Sequence, residues 1–180
     1  MGAKFAIIGG VAVSIRTIER FTKDLDIALA VQSDSEAEAV VLSLSRSGYF
    51  VETVIEQDET NRLATVRLSF PGPPKILVDL LFASSGIELE IVVAAEEAEI
   101  FPGMYGLVAT IPSLIALKVL SANEKNRLQD ILDLQNLINE STQDDIATAR
   151  ELLSLITERG FNRKKDLLHD LDGYIERFQN

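Results

Sequence analysis

Short apolar runs separated by polar or glycine-rich breaks mark out the first half of the chain. Lys4–Ile8 reads as a short buried strand that stops at Gly9-Gly10. Val11–Ile18 is compatible with one or two turns of helix, and Asp24–Val31 reads as a strand. Ser33 followed by Glu36 is a capping box, so a helix starts there. It carries apolar residues through Leu44 and stops at Gly48, a suitable C-terminal glycine. Tyr49–Ile55 is strand-like. Arg62–Phe70 alternates, with Ala64, Val66, Leu68 and Phe70 on one face and Thr65, Arg67 and Ser69 on the other. Pro71-Gly72-Pro73-Pro74 predicts a turn. Lys75–Phe82 predicts another strand, with Asp79 inside an otherwise apolar run.

The second half changes character. Ile87–Ala98 reads as helix, and Phe101–Thr110 as a turn with a short hairpin. After Pro112 the spacing is helical almost to the end: Ser113–Asn123, Lys125–Asn139, Asp144–Arg159 and Asn162–Phe178, with Gly160 breaking the last two apart. The expectation is an α+β chain: a small mixed, antiparallel-rich sheet flanked by helices over residues 1–111, then a helical lobe over 112–180. No internal repeat and no low-complexity segment interrupts it.

Composition narrows the classes. At 180 residues and 47% hydrophobic, one domain with a real core is expected, with room for two small lobes. No apolar run reaches the ~18 residues of a spanning helix, so no membrane partner is expected. Only Lys4 precedes the first apolar run, which is not a signal-peptide pattern. The chain has no cysteine, which excludes disulfides and thiolate zinc sites and fits a cytoplasmic protein. A single histidine, His169, leaves little room for histidine metal sites or a Ser-His-Asp triad; it reads as an exposed helix residue. With 28 acidic against 17 basic residues, a broad non-specific nucleic-acid footprint is disfavoured. Arg163-Lys164-Lys165 is the densest basic cluster and reads as a solvated helix start, with contact to RNA as the sharper alternative.

The candidate chemistry sits at the strand ends. Side chains at i and i+2 of a strand point the same way, so Asp24 and Asp26 face one side of a sheet together. Two carboxylates on one face are costly without a cation. Magnesium, or manganese in its place, takes oxygen ligands and is commonly held by one or two carboxylates plus substrate phosphates. Asp79 is the candidate third carboxylate of a two-metal site. Gly9 and Gly10 let backbone N–H groups approach phosphate oxygens at the start of a helix. Arg20 and Thr22 precede the carboxylates, where they either contact phosphate or order the loop. The ordinary readings stand beside these: Asp-x-Asp as a solvated strand end, Gly-Gly as a turn, Asp79 as a strand acid bonded to backbone.

These residues carry a resemblance. Residues 9–29, GGVAVSIRTIERFTKDLDIAL, resemble the first motif of the polymerase-β-type nucleotidyltransferase superfamily, and most resemble the bacterial AbiEii-type nucleotidyltransferases, whose motif runs Gly-Gly, then Arg-x-Thr-x-Asp-x-Asp. ILVDLL is similar to the second motif. IPSLIALKVLSANEKNRLQDILDLQNLI is similar to the later ones, so the likeness covers about residues 5–139. It implies a nucleotidyltransferase fold with a C-terminal helical lobe, and a magnesium-dependent enzyme using NTP. By that resemblance Asp24, Asp26 and Asp79 hold magnesium, Gly9 and Gly10 cradle the triphosphate, Lys118 reaches the nucleotide phosphates, and Asp130 or Asp133 sits near the site. It also implies RNA or protein as acceptor and an antitoxin partner, in a toxin–antitoxin or phage-defence role. An inactive nucleotide- or partner-binding relative and a small-molecule, antibiotic-type nucleotidyltransferase are the alternatives.

On the residues alone, Lys118 reads equally as a lysine extending from an apolar helix edge. Asp130 and Asp133 share a helix face, and Arg127 stands three residues before Asp130, where it can pair with it. The chain departs from the family pattern in four ways. It starts almost on the first strand, Thr17 stands where glycine is common, Gln129-Asp130 replaces Lys-Asp, and the helical C-terminus is short.

Overall fold

A computed structural model describes residues 4–57, 62–73, 75–122 and 128–179. In chain order the elements are β1 (Lys4–Ile8), α1 (Gly9–Arg16), β2 (Asp24–Ala30), α2 (Asp34–Arg46), β3 (Phe50–Glu56), β4 (Leu63–Phe70) and β5 (Ile76–Leu81). They continue with α3 (Glu88–Ala94), β6 (Glu96–Phe101), β7 (Met104–Val108), α4 (Ile111–Ser121), α5 (Leu128–Glu140), α6 (Gln143–Glu158) and α7 (Leu167–Gln179). The strands form one mixed sheet in the order β3-β4-β5-β2-β1-β7-β6. The expected α+β class is what the chain adopts.

The sheet's register follows from alternation. On β2, Leu25, Ile27 and Leu29 face α2, where they meet Val66, Leu68, Val78, Leu80 and Ala37 in a small apolar layer. Asp24 and Asp26 point to the opposite face. A larger core joins β1, α1, α3 and β7 to the helices α4 to α7, with Ile8, Val13, Ile91, Val108, Ile115, Leu134 and Leu153 inside it. Arg16, at the end of α1, ties that helix to the sheet by donating to the carbonyls of Val108 and Ala109.

Helix ends obey local chemistry. Ser33 accepts from the Glu36 N–H, so α2 starts where expected, but the Glu36 carboxylate accepts from the Gln32 N–H rather than from Ser33, and only half of the capping box forms. Gly48, at φ +96°, closes that helix. Thr142 and Asp145 form a full capping box on α6.

Two expectations are corrected. The helix expected over Ile87–Ala98 stops at Ala94, and Glu96–Phe101 become an edge strand paired with β7 in a hairpin. Ala and Glu favour helix, but the free edge of β7 supplies a backbone ladder that outweighs this weak preference. The helix expected from Asn162 begins only at Leu167. Arg163 and Lys164 instead form a turn with φ of 54° and 61°. The cause is Lys165, whose Nζ donates to the carbonyls of Val119, Leu120 and Ala122 at the end of α4. A cation there satisfies orphan carbonyls and opposes the helix dipole. Arg127 and the start of the helix expected from Lys125 lie outside the described residues, as does Pro74 of the expected turn. Among the described residues no helix is long and apolar enough to cross a membrane.

Candidate active site

The site begins where β1 runs into α1 without a loop. Gly9 makes that corner at φ +62°. A Cβ on Gly9 would lie 1.9 Å from Asp26 Oδ2, and one on Gly10 2.7 Å from Thr22 Oγ1 and 2.8 Å from Arg20 Nη2. The glycine pair therefore brings backbone directly against the first carboxylate motif. Thr22 Oγ1 donates to the Asp24 carbonyl at 3.3 Å, so Thr22 orders the loop ahead of β2. Substituting Gly9 by alanine is expected to cost at least about 1–2 kcal/mol from the left-handed backbone alone, and more from the clash. Thermal melts of Gly9→Ala check this; an unchanged melting temperature would contradict it.

Asp26 and Asp79 are direct register partners on the parallel strands β2 and β5. Asp24, two residues earlier, shares their face. The register of β4 against β5 adds a residue that the sequence reading did not select. Arg67 lies opposite Asp79. Its Nε donates to Asp79 Oδ1 at 2.7 Å and its Nη2 to Oδ2 at 2.6 Å. The same Nη2 stands 3.5 Å from Asp24 Oδ2. The signal was present as the only charged side chain on the polar face of an alternating strand beside the Asp79 strand. What it lacked was the pairing register.

Electrostatics distinguish the carboxylates. Burial first, and then the charges of Asp79 and Asp24, push the Asp26 carboxyl up to about 6; Lys118 and the Gly10 amide pull the other way. Bonding to Asp79 drives the Arg67 guanidinium still further above its ordinary value. Asp26 is thus a site of uncompensated negative charge. Together with Asp24 it offers the hard oxygen donors that magnesium takes, so these two residues fit the ion. Asp79 has both oxygens on Arg67, and among the described residues no three acidic or histidine side chains converge into a ready metal-binding group.

A second cluster closes the site from the helical side. Lys118 Nζ on α4 lies 2.7 Å from Asp130 Oδ1 and 2.6 Å from Asp133 Oδ2. Asp133, completely buried on α5, also takes Arg20 Nη2 at 2.8 Å and Gln129 Nε2 at 3.0 Å. Burial opposes its charge, but the bonds from Lys118, Gln129 and Arg20 win and hold its carboxyl below the usual range. Asp130 further accepts from Ser121 Oγ. Arg20 is therefore a strut between the first motif and α5, and Gln129 fills the place where the family pattern has lysine. Asp133 thus lies on a buried helix face, not a solvated one.

A cleft of about 800 Å³ runs between the two clusters. Gly9, Asp26, Arg67, Asp79, Lys118 and Asp130 all line it. Its size is that of a small-molecule site. Arg163 and Lys164 stand at its rim, while His169 is exposed on α7 and takes no part.

A mixed sheet that sets three aspartates on one face beside a glycine corner, roofed by a lysine-bearing helix, defines a nucleotidyltransferase. The chain belongs to the AbiEii family: the family model described as nucleotidyl transferase AbiEii toxin, type IV TA system, matches residues 1–176. Among solved structures it is similar to an antigenic nucleotidyltransferase-like protein from Paracoccidioides brasiliensis, at 15% identity and TM-score 0.52 over 93% of this chain and 84% of that one. JHP933 from Helicobacter pylori shows 14% identity and TM-score 0.48, over 98% and 83%. At 15% identity the first likeness concerns the fold alone. No curated protein matches the sequence.

Proposed function

We propose that this nucleotidyltransferase moves a nucleoside monophosphate from NTP onto a hydroxyl of RNA or protein, with magnesium or manganese held by Asp24 and Asp26. The observation that carries the reading is the β2–β5 register, which sets Asp26 beside Asp79 on the cleft face. Bound there, a divalent ion would neutralise charge that builds on the phosphates during in-line displacement. Gly9 lines the cleft at the start of α1, where backbone N–H groups and the helix dipole favour the triphosphate. Lys118, fixed by Asp130 and Asp133, supplies a positive charge on the roof of the cleft. Asp79 orients the acceptor hydroxyl or takes its proton as its oxygen attacks the α-phosphorus. The bond to the bridging oxygen breaks and pyrophosphate leaves. The family description supports a toxin role, with an antitoxin as counterpart.

The test is direct. The purified chain is incubated with magnesium and each α-labelled NTP, with total tRNA, total cell protein or an aminoglycoside as acceptor. Label is expected on RNA or protein and is expected to vanish in Asp24→Ala and Asp26→Ala. The proposal fails if no acceptor is labelled and NTP binding is indifferent to both substitutions. Label on the aminoglycoside alone would replace the macromolecular acceptor with a small one.

A further inference from the structure

The third carboxylate is present but taken. Arg67 engages both Asp79 oxygens in the parallel two-bond geometry that suits a guanidinium and a carboxylate. The contact is built by paired strands, since Arg67 and Asp79 are register partners in the β4–β5 hairpin. Its two sides differ in freedom. The Asp79 side chain is only 13% exposed, whereas that of Arg67 is 41% exposed and lines the cleft. The guanidinium is therefore the partner able to move. Its Nη1 has no partner among the described residues, so it has a donor to offer an arriving anion.

We propose that Arg67 is a positioning residue that withholds Asp79 from cations in the nucleotide-free protein, and releases it when phosphate groups of a bound nucleotide compete for the guanidinium. The inference rests on the nucleotide-transfer reading above and adds an order of events to it. Phosphate and carboxylate present similar oxygen pairs to an arginine fork, so the exchange replaces one charged bond by another. A phosphate brings more negative charge than Asp79 does, which favours the exchange. Until then a cation finds Asp26, which lines the cleft, and Asp24 two residues before it on the same strand. Cation binding without nucleotide is thereby weak, and nucleotide and cation reinforce one another.

The measurement is Mn2+ binding to the full, nucleotide-free chain, followed by the electron paramagnetic resonance of free Mn2+ and by calorimetry. Arg67→Met is expected to bind Mn2+ roughly tenfold more tightly than the parent, because the ion no longer competes with a charged hydrogen-bond pair. Adding Asp79→Asn should erase the gain. Equal or weaker binding by Arg67→Met, with transfer intact in the parent, overturns this inference and leaves the proposed function standing. No Mn2+ binding by either protein also overturns this inference, while the proposed function stands or falls by the transfer assay with NTP present. A second measurement uses the parent chain, so it does not depend on how Arg67→Met folds. The Arg67 Nε–H resonance, identified by its loss in Arg67→Lys, is expected to shift on addition of a non-hydrolysable NTP analogue alone. If the analogue binds and the resonance stays in place, phosphate does not draw Arg67 away and the proposal falls.

Discussion

Replacing Asp26 by asparagine is expected to reduce transfer at least roughly a hundredfold and yet to stabilise the metal-free protein at pH 8. The loss of activity follows from removing one of the two carboxylates offered to the cation. The gain in stability follows from linkage. The folded protein holds the Asp26 proton up to about pH 6, against an ordinary value of 3.8, chiefly because the group is buried and then because Asp79 and Asp24 repel its charge. A group whose pKa is raised by folding favours the fold while protonated. That contribution is fully present below 3.8 and is lost as pH rises through 6. The shift of about two pH units corresponds to a loss on the order of 3 kcal/mol. Asparagine never ionises and escapes it. Urea unfolding across pH should show the two proteins equal below about pH 4 and the variant ahead above about pH 6, by up to that amount. Magnesium should narrow the gap by binding the parent. A parent that is as stable as Asp26→Asn at pH 8 without metal would show that the charge is already compensated.

Asp133→Asn is expected to have the opposite effect on stability, a loss of about 3–5 kcal/mol, the cost of breaking a buried ion pair from one side. Asp133 is 0% exposed and binds Lys118, Arg20 and Gln129 at once. Removing its charge leaves Arg20 without its anchor on α5 and Lys118 with its ion pair to Asp130. Against a typical total of about 5–15 kcal/mol, such a loss is large. The pH signature also reverses. Folding lowers the Asp133 carboxyl, because the bonds from its cationic and amide partners outweigh burial. Its contribution is therefore present above the unfolded value of 3.8 and is lost as pH falls through the lower folded value. Guanidinium titrations at pH 7 and in the acid range decide this. A variant as stable as the parent at pH 7 would reduce the network to a surface arrangement. Transfer should fall as well, although Asp133 does not line the cleft, because Lys118 is held in place by it.

The two residues illustrate unequal legibility. Asp24 and Asp26 could be read from i, i+2 spacing alone, because a strand sends both to one face whatever lies beside it. Asp133 could not. Its i, i+3 relation to Asp130 says that they share a helix face, and that face is buried only because α4 and the Arg20 loop pack on it. Lys118 was suggested by family resemblance, while its own sequence context was neutral between function and an exposed helix edge. Arg20 and Thr22 were legible as loop residues beside the carboxylates. The structure shows both ordering that loop, Arg20 by a long-range ion pair and Thr22 by a local hydrogen bond.

By itself the sequence determined what depends on neighbours along the chain: the glycine corner, the capped start and glycine end of α2, the alternation that divides β2 and β4 into two faces, and the carboxylate pair. These need only backbone sterics and the periods of strand and helix. Tertiary structure alone decided which strands lie side by side, and with that whether Asp79 meets Asp26 and whether Arg67 reaches Asp79. It also turned Glu96–Phe101 from helix to edge strand and pulled Lys165 onto the end of α4. In each case the deciding term was a hydrogen bond or charge pair between two different elements rather than within one. Local propensities are worth only a few tenths of a kcal/mol per residue, and such a partner outweighs them.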